Sequence, residues 1–513
     1  MSIDTPAWVR DAIFYQVFPD RLARSGRVKA PGELEPWEAE PTVDGFKGGD
    51  LYGVMNHLDR LQGMGVTALY LNPVFASASN HRYHAFDYYS VDPLLGGDQA
   101  MRELLDEAHA RGMRVVLDGV FNHSGRGWFP FHHLLEVGAR SPYRDWFCLS
   151  EDARSGTQPL IAFPSPDLLE QLDPGQPKDG SPRGVASREL LGYEAWWDLP
   201  ALPKIDLTNS ATRAYILDVA EYWVRFGIDG WRLDVPEEVE GEFWREFRAR
   251  VRAVKRDAYI VGEVWHHKPE WLQGDMFDAF MNYPLTQALL GFAAQGHLDL
   301  EGPLPFEYIG KLHAFDGEAL WQRLEELDGI NPSEVTAVQL NLLGSHDTPR
   351  LRTLCGEDLD SVRLATLLQL TLPGAPCIYY GDEIGLSGSM DPACRGAFPD
   401  DPAEWKQEPY EWVADLAELR HSNGAFRDAE LELLGVQGPA IAYLRRLGAD
   451  AFAVVANAGD ATLEWAVGLP EGLDRAEVIP IRGGAPGVRS AEVTDGSLRV
   501  ELPARDGMVV RLR

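Results

Sequence analysis

The sequence predicts an α/β fold, a closed barrel of eight parallel strands, and two observations support this prediction. One unit recurs along the chain: an amphipathic helix, a glycine at its end, and then an apolar strand that finishes in polar residues. Eight such strands can be counted between residues 12 and 383, and strands that alternate with helices form parallel βαβ units. Eight of these units close into a (β/α)8 TIM barrel, whose functional side chains lie at the carboxyl ends of the strands.

Each element of this repeat has its own signal. Apolar residues three or four positions apart share one helix face, and a glycine just past the last of them ends the helix. Three helices show this pattern. Each has an apolar face followed by a terminal glycine: Val54, Leu58 and Leu61 with Gly65; Leu104, Leu105 and Ala108 with Gly112; and Ile216, Val219, Ala220 and Trp223 with Gly227. The eight predicted strands span residues 12–19, 68–75, 114–123, 230–235, 259–265, 278–284, 340–347 and 375–383.

Two regions interrupt or follow the repeat, so the sequence predicts three domains. The barrel comprises residues 1–123 and 211–427, and an inserted loop domain, domain B, spans 124–210 after the third strand. Within the insertion, residues 151–192 are rich in proline, glycine and charge, which is typical of a loop or lid. Short alternating runs in residues 428–513 predict a C-terminal antiparallel β-sandwich.

Composition and charge exclude several classes of function. The net charge of -32 argues against nucleic acid and anionic membranes, since both need basic patches. No stretch approaches the ~18 consecutive apolar residues of a membrane span, and the N-terminus lacks the pattern of a secretory signal. The four cysteines show no paired spacing, so we expect reduced thiols and no zinc site. We therefore expect a cytoplasmic protein, and its oligomeric state stays open.

Three carboxylates indicate the chemistry: Asp234, Glu263 and Asp347, at or beside the ends of strands four, five and seven. Glycoside cleavage needs one ionised carboxylate to attack the anomeric carbon and one protonated carboxyl to release the leaving oxygen. Arg232 shares a strand face with Asp234 and should hold it ionised. Burial and the neighbouring acids should raise the pKa of Glu263. The spacing therefore indicates a retaining glycosidase.

The residues alone leave two other interpretations open. Arg232 and Asp234 could form a structural salt bridge, and the three acids together with His123 could hold a divalent metal ion. Trp265, directly beyond Glu263, is expected to line the cleft, because aromatic faces suit the apolar faces of sugars. Further polar residues at the strand ends would line the same mouth: Asp118, Asn122, His123 and His346.

Four motifs favour the glycosidase. In chain order, "VVLDGVFNH", "GWRLDV", "GEVW" and "LLGSHD" resemble the four conserved regions of the α-amylase family, glycoside hydrolase family thirteen. The resemblance implies that Asp234 is the nucleophile, Glu263 the general acid/base, and Asp347 the acid that steadies the distorted sugar. It also implies a set of sugar-binding residues, Tyr83, His123, Arg232, His346, Asp391 and Arg395, and Asp118 and Asn122 at the end of strand three are expected to bind substrate with them.

Finer motifs resemble one branch of that family. The segment "LPKID", residues 202–206, is similar to that of neopullulanases, cyclomaltodextrinases and maltogenic amylases, and Glu238 stands where typical α-amylases carry a histidine. The resemblance implies a retaining hydrolase of α-1,4 and also α-1,6 bonds in maltooligosaccharides, cyclodextrins or pullulan, with transglycosylation. Its only expected partner is this α-glucan substrate, and the branch is usually intracellular.

Three features depart from that branch. The chain begins at the predicted first barrel strand, so the N-terminal β-sandwich of the group is expected to be absent. We hypothesise that residues 151–192 narrow the cleft in its place. The stretch "RLARSGRVKAPG" after strand one has basic and small residues where calcium ligands are expected, and of the usual ligands only Gly49 and Asp50 remain further on, so we expect no calcium and no other cofactor. Glu237 replaces a common asparagine and makes the acceptor side more acidic.

Two alternative functions accompany this interpretation. A trehalose-synthase-like or sucrose-acting isomerase or transglucosidase of the same family would share the three acids, and only its products would distinguish it. A non-catalytic sugar-binding protein is the alternative from another class. The amino-acid transporter heavy chains resemble this barrel, but they have lost the catalytic residues that this chain retains.

Overall fold

The computed structural model describes residues 3–172, 185–484 and 487–513, and a ring of eight parallel strands forms its centre. The strands are β1 (Phe14–Val17), β2 (Ala68–Leu71), β3 (Arg114–Gly119), β4 (Gly230–Leu233), β5 (Tyr259–Gly262), β6 (Ala279–Phe280), β7 (Leu340–Leu342) and β8 (Ala375–Tyr379). They pair in the order β6-β5-β4-β3-β2-β1-β8-β7, and a parallel bridge from Met281 to Leu340 joins β6 to β7. Each strand lies inside its predicted range, so the (β/α)8 barrel is confirmed.

The pairing register between neighbouring strands determines which residues lie next to each other at the carboxyl end of the barrel. In β4 and β5 the last paired residues are Leu233 and Gly262. The residues that follow this pair are Asp234 and Glu263. Two of the three predicted acids therefore emerge side by side from neighbouring strands.

Helices cover the outside of the barrel. The longer ones are Gly97–Ala110, Ser210–Phe226, Gly241–Val254, Tyr283–Ala293, Gly317–Ile330, Leu359–Thr371 and Gln407–Ser422, and the shorter ones include Leu51–Asn56, Leu58–Gly63, Ser333–Thr336 and Leu351–Leu354. The apolar residues predicted for three helix faces are all buried, so these faces pack on the strands. Within the described residues, no helix has both the length and the apolar character needed to cross a bilayer.

Between β5 and β6 the repeat of strand and helix fails. Residues 263–278, all of which the structure describes, contain only the 3-10 turn Pro269–Trp271 and no α-helix. Gly274 has a φ of +92°, a left-handed conformation that breaks any regular helix here. The ring of Trp271 lies parallel to that of Phe277, with centroids 5.5 Å apart, so aromatic packing covers this side of the barrel. The prediction of an intervening helix is wrong at this position.

The segment after β3 leaves the barrel and returns to it at Ser210. Its described helices are Phe129–Val137, Glu151–Ser155, Pro166–Leu172 and Val185–Leu191. Four isolated antiparallel bridges hold the segment together, and the first joins its two ends: His123 with Lys204, Phe147 with Ile205, Leu149 with Tyr193, and Ala195 with Pro203. Residues 173–184 of the hypothesised lid lie outside the described residues, so the lid stays a prediction.

The C-terminal part consists of two antiparallel sheets. Its strands are β9 (Leu431–Gln437), β10 (Ala440–Leu447), β11 (Asp450–Asn457), β12 (Leu463–Gly468), β13 (Ala476–Val478), β14 (Ser490–Thr494), β15 (Ser497–Leu502) and β16 (Asp506–Leu512). They pair as β9-β10-β11-β16-β13 and as β12-β15-β14, and apolar side chains of both sheets form a second core. The predicted C-terminal antiparallel β-domain is confirmed. Arg445, on β10, anchors it by donating to the backbone oxygens of Thr371 and Ala429.

Candidate active site

The polar residues at the strand ends converge on one arginine. Arg232, on β4, is completely buried. Its Nη1 donates to Asp118 Oδ1 at 2.8 Å and to Asp234 Oδ1 at 3.0 Å. Its Nη2 lies 3.0 Å from Glu263 Oε2. One guanidinium therefore contacts three carboxylates, which come from β3 and from the ends of β4 and β5.

The position of Glu263 depends on the residue that follows Asp234. Val235 donates its backbone N–H to Glu263 Oε2 at 3.1 Å and has a φ of +35°. A β-branched residue rarely adopts this left-handed conformation, which costs about 1–3 kcal/mol and is found mainly at functional sites. Trp265 donates its indole N–H to Glu263 Oε1 at 3.1 Å. Both oxygens of Glu263 are thus fixed by neighbours in the loops after β4 and β5.

Asp347 follows β7 and is held by two nitrogen donors. His346 Nε2 lies 3.0 Å from its Oδ2, and Arg395 Nη2 donates to its Oδ1 at 3.3 Å. Burial alone would raise the pKa of Asp347, but His346 and Arg395 lower it below its usual value. The surroundings of Asp347 therefore keep it ionised.

Asp234 and Glu263 behave differently, because the pKa of each is raised. Burial, and then the charge of Glu263, raise the pKa of Asp234 well above its usual value, and burial raises the pKa of Glu263. The charge of Arg232 opposes both shifts without cancelling them. Two buried carboxyls that repel each other favour a form in which they share one proton.

This result corrects one expectation about the pair. The prediction that the pKa of Glu263 is raised is confirmed. The expected hydrogen bond from Arg232 to Asp234 is present and lowers the pKa of Asp234, but burial and the charge of Glu263 raise that pKa by more, so Arg232 alone does not keep Asp234 ionised. The guanidinium is divided among three carboxylates, so its stabilisation of any one anion is smaller than the cost of burying that anion.

Tyr83 lies beside these acids and offers a flat surface. Its ring stacks on that of His346, with centroids 5.4 Å apart and an angle of 8° between the planes. Its hydroxyl donates to Asp118 Oδ2 at 2.9 Å and lies 2.6 Å from His346 Nε2. A tyrosine fixed at both its ring and its hydroxyl is suited to stack against a sugar.

His123, beyond the end of β3, is buried and neutral. Burial lowers the pKa of His123 to about 3. Its Nδ1 lies 3.3 Å from Asn122 Nδ2, and its ring stacks on Trp196, with centroids 5.0 Å apart. Its Nε2 has no hydrogen-bond partner among the described residues, so a ligand hydroxyl could pair with it.

Glu238 lies in the loop after β4, and Trp265 lies in the loop after β5. Glu238 Oε2 accepts a hydrogen bond from Lys204 Nζ at 3.1 Å, and Lys204 also lies 3.2 Å from Glu194 Oε1. Trp265 stacks on Tyr283, with centroids 3.6 Å apart, and remains partly exposed. The structure therefore places Trp265 next to Glu263, as expected for a residue that lines the cleft.

Four predicted residues contact neither the three acids nor Arg232 and His346 in the described contacts: Asn122, His123, Glu238 and Asp391. Asn122 and His123 contact each other, and Glu238 contacts Lys204. Asp391 lies 3.0 Å from Arg395 Nη1, and Arg395 in turn binds Asp347. His123 also lies against Trp196, and the remaining predicted residues meet around Arg232 and Asp347.

Sequence reasoning missed two polar residues on the first two strands. Gln16 Nε2 lies 2.9 Å from His346 Nδ1, and Asn72 Nδ2 donates to the Tyr83 hydroxyl at 3.1 Å. Both are polar residues within or directly after an apolar strand, and Arg232 shows the same pattern in strand four. This pattern was therefore sufficient to predict Gln16 and Asn72 as residues of the site.

Two further residues could not have been found in this way. Tyr70 donates its hydroxyl to Asp118 Oδ2 at 2.8 Å, and Met281 Sδ accepts a hydrogen bond from Arg232 Nε at 3.4 Å. Both look like ordinary core residues in a sequence, since buried tyrosine and methionine are common. Only the fold places them against the charged centre.

The loop after β1 does not fit a calcium ion. Lys47 is completely buried, and its ammonium donates to the backbone oxygens of Pro36 at 2.7 Å and Ala39 at 2.5 Å. The carboxylate of Asp50 accepts from the backbone N–H groups of Ser25 and Gly53. A protein cation thus contacts oxygens of the kind that bind calcium. The described residues contain no group of three or more His, Cys, Asp or Glu side chains placed to hold a metal ion.

The chain is similar in sequence to proteins of known family. A family model described as alpha amylase, catalytic domain, matches residues 16–415. A cyclomaltodextrinase of Geobacillus thermopakistaniensis (strain MAS1) is 39% identical over 463 residues, which cover 90% of this chain and 71% of that protein. An intracellular maltogenic amylase of Bacillus subtilis (strain 168) is 34% identical over 451 residues, which cover 87% of this chain and 68% of that protein.

The similarity extends to a solved structure. The native debranching enzyme of Nostoc punctiforme matches with a TM-score of 0.84 and 40% sequence identity. The match covers 99% of this chain and 100% of that chain, so it includes the barrel, the inserted segment and the C-terminal sheets.

Proposed function

Because the chain belongs to the α-amylase family, we propose that it hydrolyses α-1,4-glucosidic bonds of maltooligosaccharides with retention of anomeric configuration. The observation that carries this proposal is the Arg232 guanidinium, whose Nη1 and Nη2 each lie 3.0 Å from one carboxylate, Asp234 and Glu263. Two carboxylates on one guanidinium lie close together. This favours the ~5–5.5 Å separation of retaining glycosidases over the ~6.5–9.5 Å of inverting ones.

In the first step Asp234 attacks the anomeric carbon while Glu263 gives its proton to the glycosidic oxygen. The glycosidic bond breaks, the leaving chain takes the proton, and a glucosyl ester forms on Asp234. This step needs one proton on the pair, located on Glu263. The raised pKa values of both carboxyls support one shared proton, and we place it on Glu263 because Arg232 Nη1 donates a hydrogen bond to Asp234 and stabilises the anion that attacks.

In the second step Glu263, now ionised, takes a proton from water. The water oxygen attacks the anomeric carbon, and the ester bond to Asp234 breaks. When a sugar hydroxyl takes the place of water, the same step is transglycosylation. Trp265, partly exposed beside Glu263, and the Lys204–Glu238 pair offer an aromatic face and charged hydrogen-bonding groups to such an acceptor.

The sugar that reacts is held by the residues around Asp347. The Tyr83 ring, stacked on His346, would lie against the apolar face of the sugar. The ionised Asp347 accepts hydrogen bonds from its hydroxyls, and the unpartnered Nε2 of His123 pairs with another. These contacts orient the anomeric carbon between Asp234 and Glu263.

The substrate range includes further α-glucans. The relatives are named for the hydrolysis of cyclomaltodextrins and for debranching. We therefore extend the proposed substrates to cyclodextrins and to pullulan, whose chains contain α-1,6 bonds. We also propose that the protein acts in the cytoplasm, which its four free cysteines support, and that it needs no calcium in the loop after β1.

Product analysis by chromatography tests the reaction. The purified protein is incubated with maltotriose, maltoheptaose, pullulan, maltose and sucrose, in parallel with Asp234→Asn and Glu263→Gln. Shorter maltooligosaccharides from maltotriose and maltoheptaose, absent in both variants, are expected. A new non-reducing or isomerised disaccharide from maltose or sucrose, without hydrolysis, would instead identify the trehalose-synthase-like or sucrose-acting alternative. No product from any substrate, with sugar binding retained, would indicate a non-catalytic binding protein.

A further inference from the structure

Phe163 is unusually exposed for a large apolar residue. Its exposed fraction of 73% is the highest among the large hydrophobic side chains of the described residues. Leaving a phenylalanine in water forgoes about 1.5–3 kcal/mol of burial. A single exposed apolar side chain is ordinary in soluble proteins, so a role for Phe163 needs independent observations.

The first observation is that the ring is held in a fixed orientation. The guanidinium carbon of Arg126 lies 4.0 Å from the centroid of the Phe163 ring. Arg126 Nη1 also donates to the backbone oxygen of Ala162 at 2.6 Å, which ties the guanidinium to the residue before the ring. One face of the ring is therefore covered by Arg126, and much of the rest faces solvent.

The second observation is that Arg126 lies at the rim of the active site. It comes three residues after His123, and its backbone N–H donates to Ala201 O at 3.1 Å. The neighbouring Gly125 donates to Ala85 O at 2.9 Å, two residues beyond Tyr83. These contacts hold the start of the inserted segment against the loop that carries the sugar-stacking tyrosine.

A run of rings connects Tyr83 to this rim. The His81 ring lies 5.6 Å from that of Tyr83, and the His84 ring lies 5.0 Å from that of His81. Burial, and then the charge of Arg126, lower the pKa of His84 to about 4, so His84 is neutral beside the guanidinium. A series of contacts therefore runs from Tyr83 through His81 and His84 to Arg126, which lies over the Phe163 ring.

We propose that Phe163 and Arg126 form a distal glucosyl subsite, which binds a part of the α-glucan chain remote from the bond that is cleaved. The proposal rests on the proposed hydrolysis of maltooligosaccharides. A glucose ring presents an apolar C–H face that stacks on phenylalanine, and hydroxyls that accept hydrogen bonds from a guanidinium. Only chains long enough to reach from Tyr83 to Phe163 gain from this subsite.

The test is the dependence of kcat/KM on chain length, from maltotriose to maltoheptaose. Phe163→Ala is expected to lower kcat/KM for maltoheptaose about 5-fold, and to change kcat/KM for maltotriose less than about 1.5-fold, since an aromatic contact of this kind is worth about 1 kcal/mol. Phe163→Trp should restore the preference for long chains. Phe129→Ala is the matched control, because Phe129 is 61% exposed in the same segment but packs on His133 and Tyr143.

Two results would overturn the subsite. Equal losses for short and long chains would show that the Phe163 substitution acts on the fold or on the cleavage site. Unchanged kcat/KM for all lengths would show that the chain does not reach Phe163. If the wild type hydrolyses no maltooligosaccharide, calorimetric binding of maltoheptaose to Glu263→Gln, with and without Phe163→Ala, decides instead. Weaker binding with the second substitution would retain the subsite while the proposed reaction fails, and equal binding would reject the subsite.

Discussion

Met281 Sδ accepts a hydrogen bond from Arg232 Nε across 3.4 Å. The other side of the Arg232 guanidinium faces the carboxylates of Asp118, Asp234 and Glu263. Met281 lies directly after β6, so the guanidinium contacts residues on or beside four neighbouring strands. A thioether is a weak acceptor. We expect it to contribute mainly by fixing the plane of the Arg232 guanidinium, which contacts both Asp234 and Glu263.

Replacing this thioether tests its role in positioning. Met281→Leu keeps the side-chain volume but removes the acceptor for Arg232 Nε, so kcat is expected to fall about 3- to 10-fold while KM changes less than about 2-fold, because ~1 kcal/mol of orientation is lost. The free energy of unfolding should change by less than about 1.5 kcal/mol. Met276→Leu, another buried methionine, serves as the control and should keep full activity. A pH–rate profile that is unchanged in Met281→Leu, together with an unchanged kcat, would show that the contact is packing alone.

The raised pKa of Asp234 predicts that its removal stabilises the protein at high pH. A carboxyl whose pKa is raised by folding contributes stability below its unfolded pKa, near 3.9, and that contribution is lost as the pH rises through the folded value. Asp234→Asn cannot ionise and avoids this loss. Its melting temperature should exceed that of the wild type by ~1–3 °C at pH 8 and match it at pH 4, since about 1 kcal/mol moves Tm by roughly 2–4 °C in a domain of about 150–250 residues and by less in a longer chain. Calorimetry that finds the variant less stable at pH 8 contradicts the raised pKa.

Asp347 should show the opposite behaviour. Folding lowers its pKa, so its stabilisation is present above the unfolded pKa, near 3.9, and is lost as the pH falls toward the folded value. Asp347→Asn removes an anion that His346 and Arg395 stabilise, and it should lower Tm at pH 7 by several degrees, about 1–3 kcal/mol. The difference should shrink as the pH falls below about 4. Thermal unfolding of both variants over one pH series provides the comparison, and the same sign for Asp234→Asn and Asp347→Asn would refute the account of the site's electrostatics.

In the loop after β1, the Lys47 ammonium is predicted to replace a bound cation as the partner of the backbone carbonyl oxygens. EDTA and millimolar calcium should each change the melting temperature of the wild type by less than ~1 °C, because a protein ammonium already contacts the Pro36 and Ala39 carbonyls. Lys47→Met leaves these oxygens without a donor and should destabilise the protein by about 1–3 kcal/mol. Calcium should not restore the lost stability. A Tm drop of several degrees with EDTA in the wild type would be evidence for a bound metal.

Much of the barrel could be predicted because its signals are local. Helix faces such as Leu104, Leu105 and Ala108 follow a period that only a helix satisfies, and predicted strands three, four, five and seven carry polar residues at or near their ends. The missing helix between β5 and β6 could not be predicted from the repeat. The segment instead contains Gly274 in a left-handed conformation and the stacked rings of Trp271 and Phe277, a contact that a strand–helix repeat does not indicate.

The candidate site was predictable in its residues but less so in its electrostatics. Arg232 and Asp234 stand out because charge is costly inside a strand. Their pKa values depend on how one guanidinium is shared among carboxylates from different strands, which is a property of the assembled barrel. The same limit applies to Tyr70 and Met281, whose contacts with the charged centre arise only when β2 and the end of β6 are brought to it.

The most direct test of the central claim, that Asp234 and Glu263 carry out a retaining hydrolysis, is proton NMR of maltotriose cleavage by the purified protein. The first anomer is followed over minutes, before mutarotation. The account predicts that the α-anomer forms first, that the β-anomer grows in only at the rate of mutarotation, and that Asp234→Asn forms neither. Initial release of the β-anomer would mean inversion by a directly attacking water, and it would contradict the assignment of Asp234 as the nucleophile.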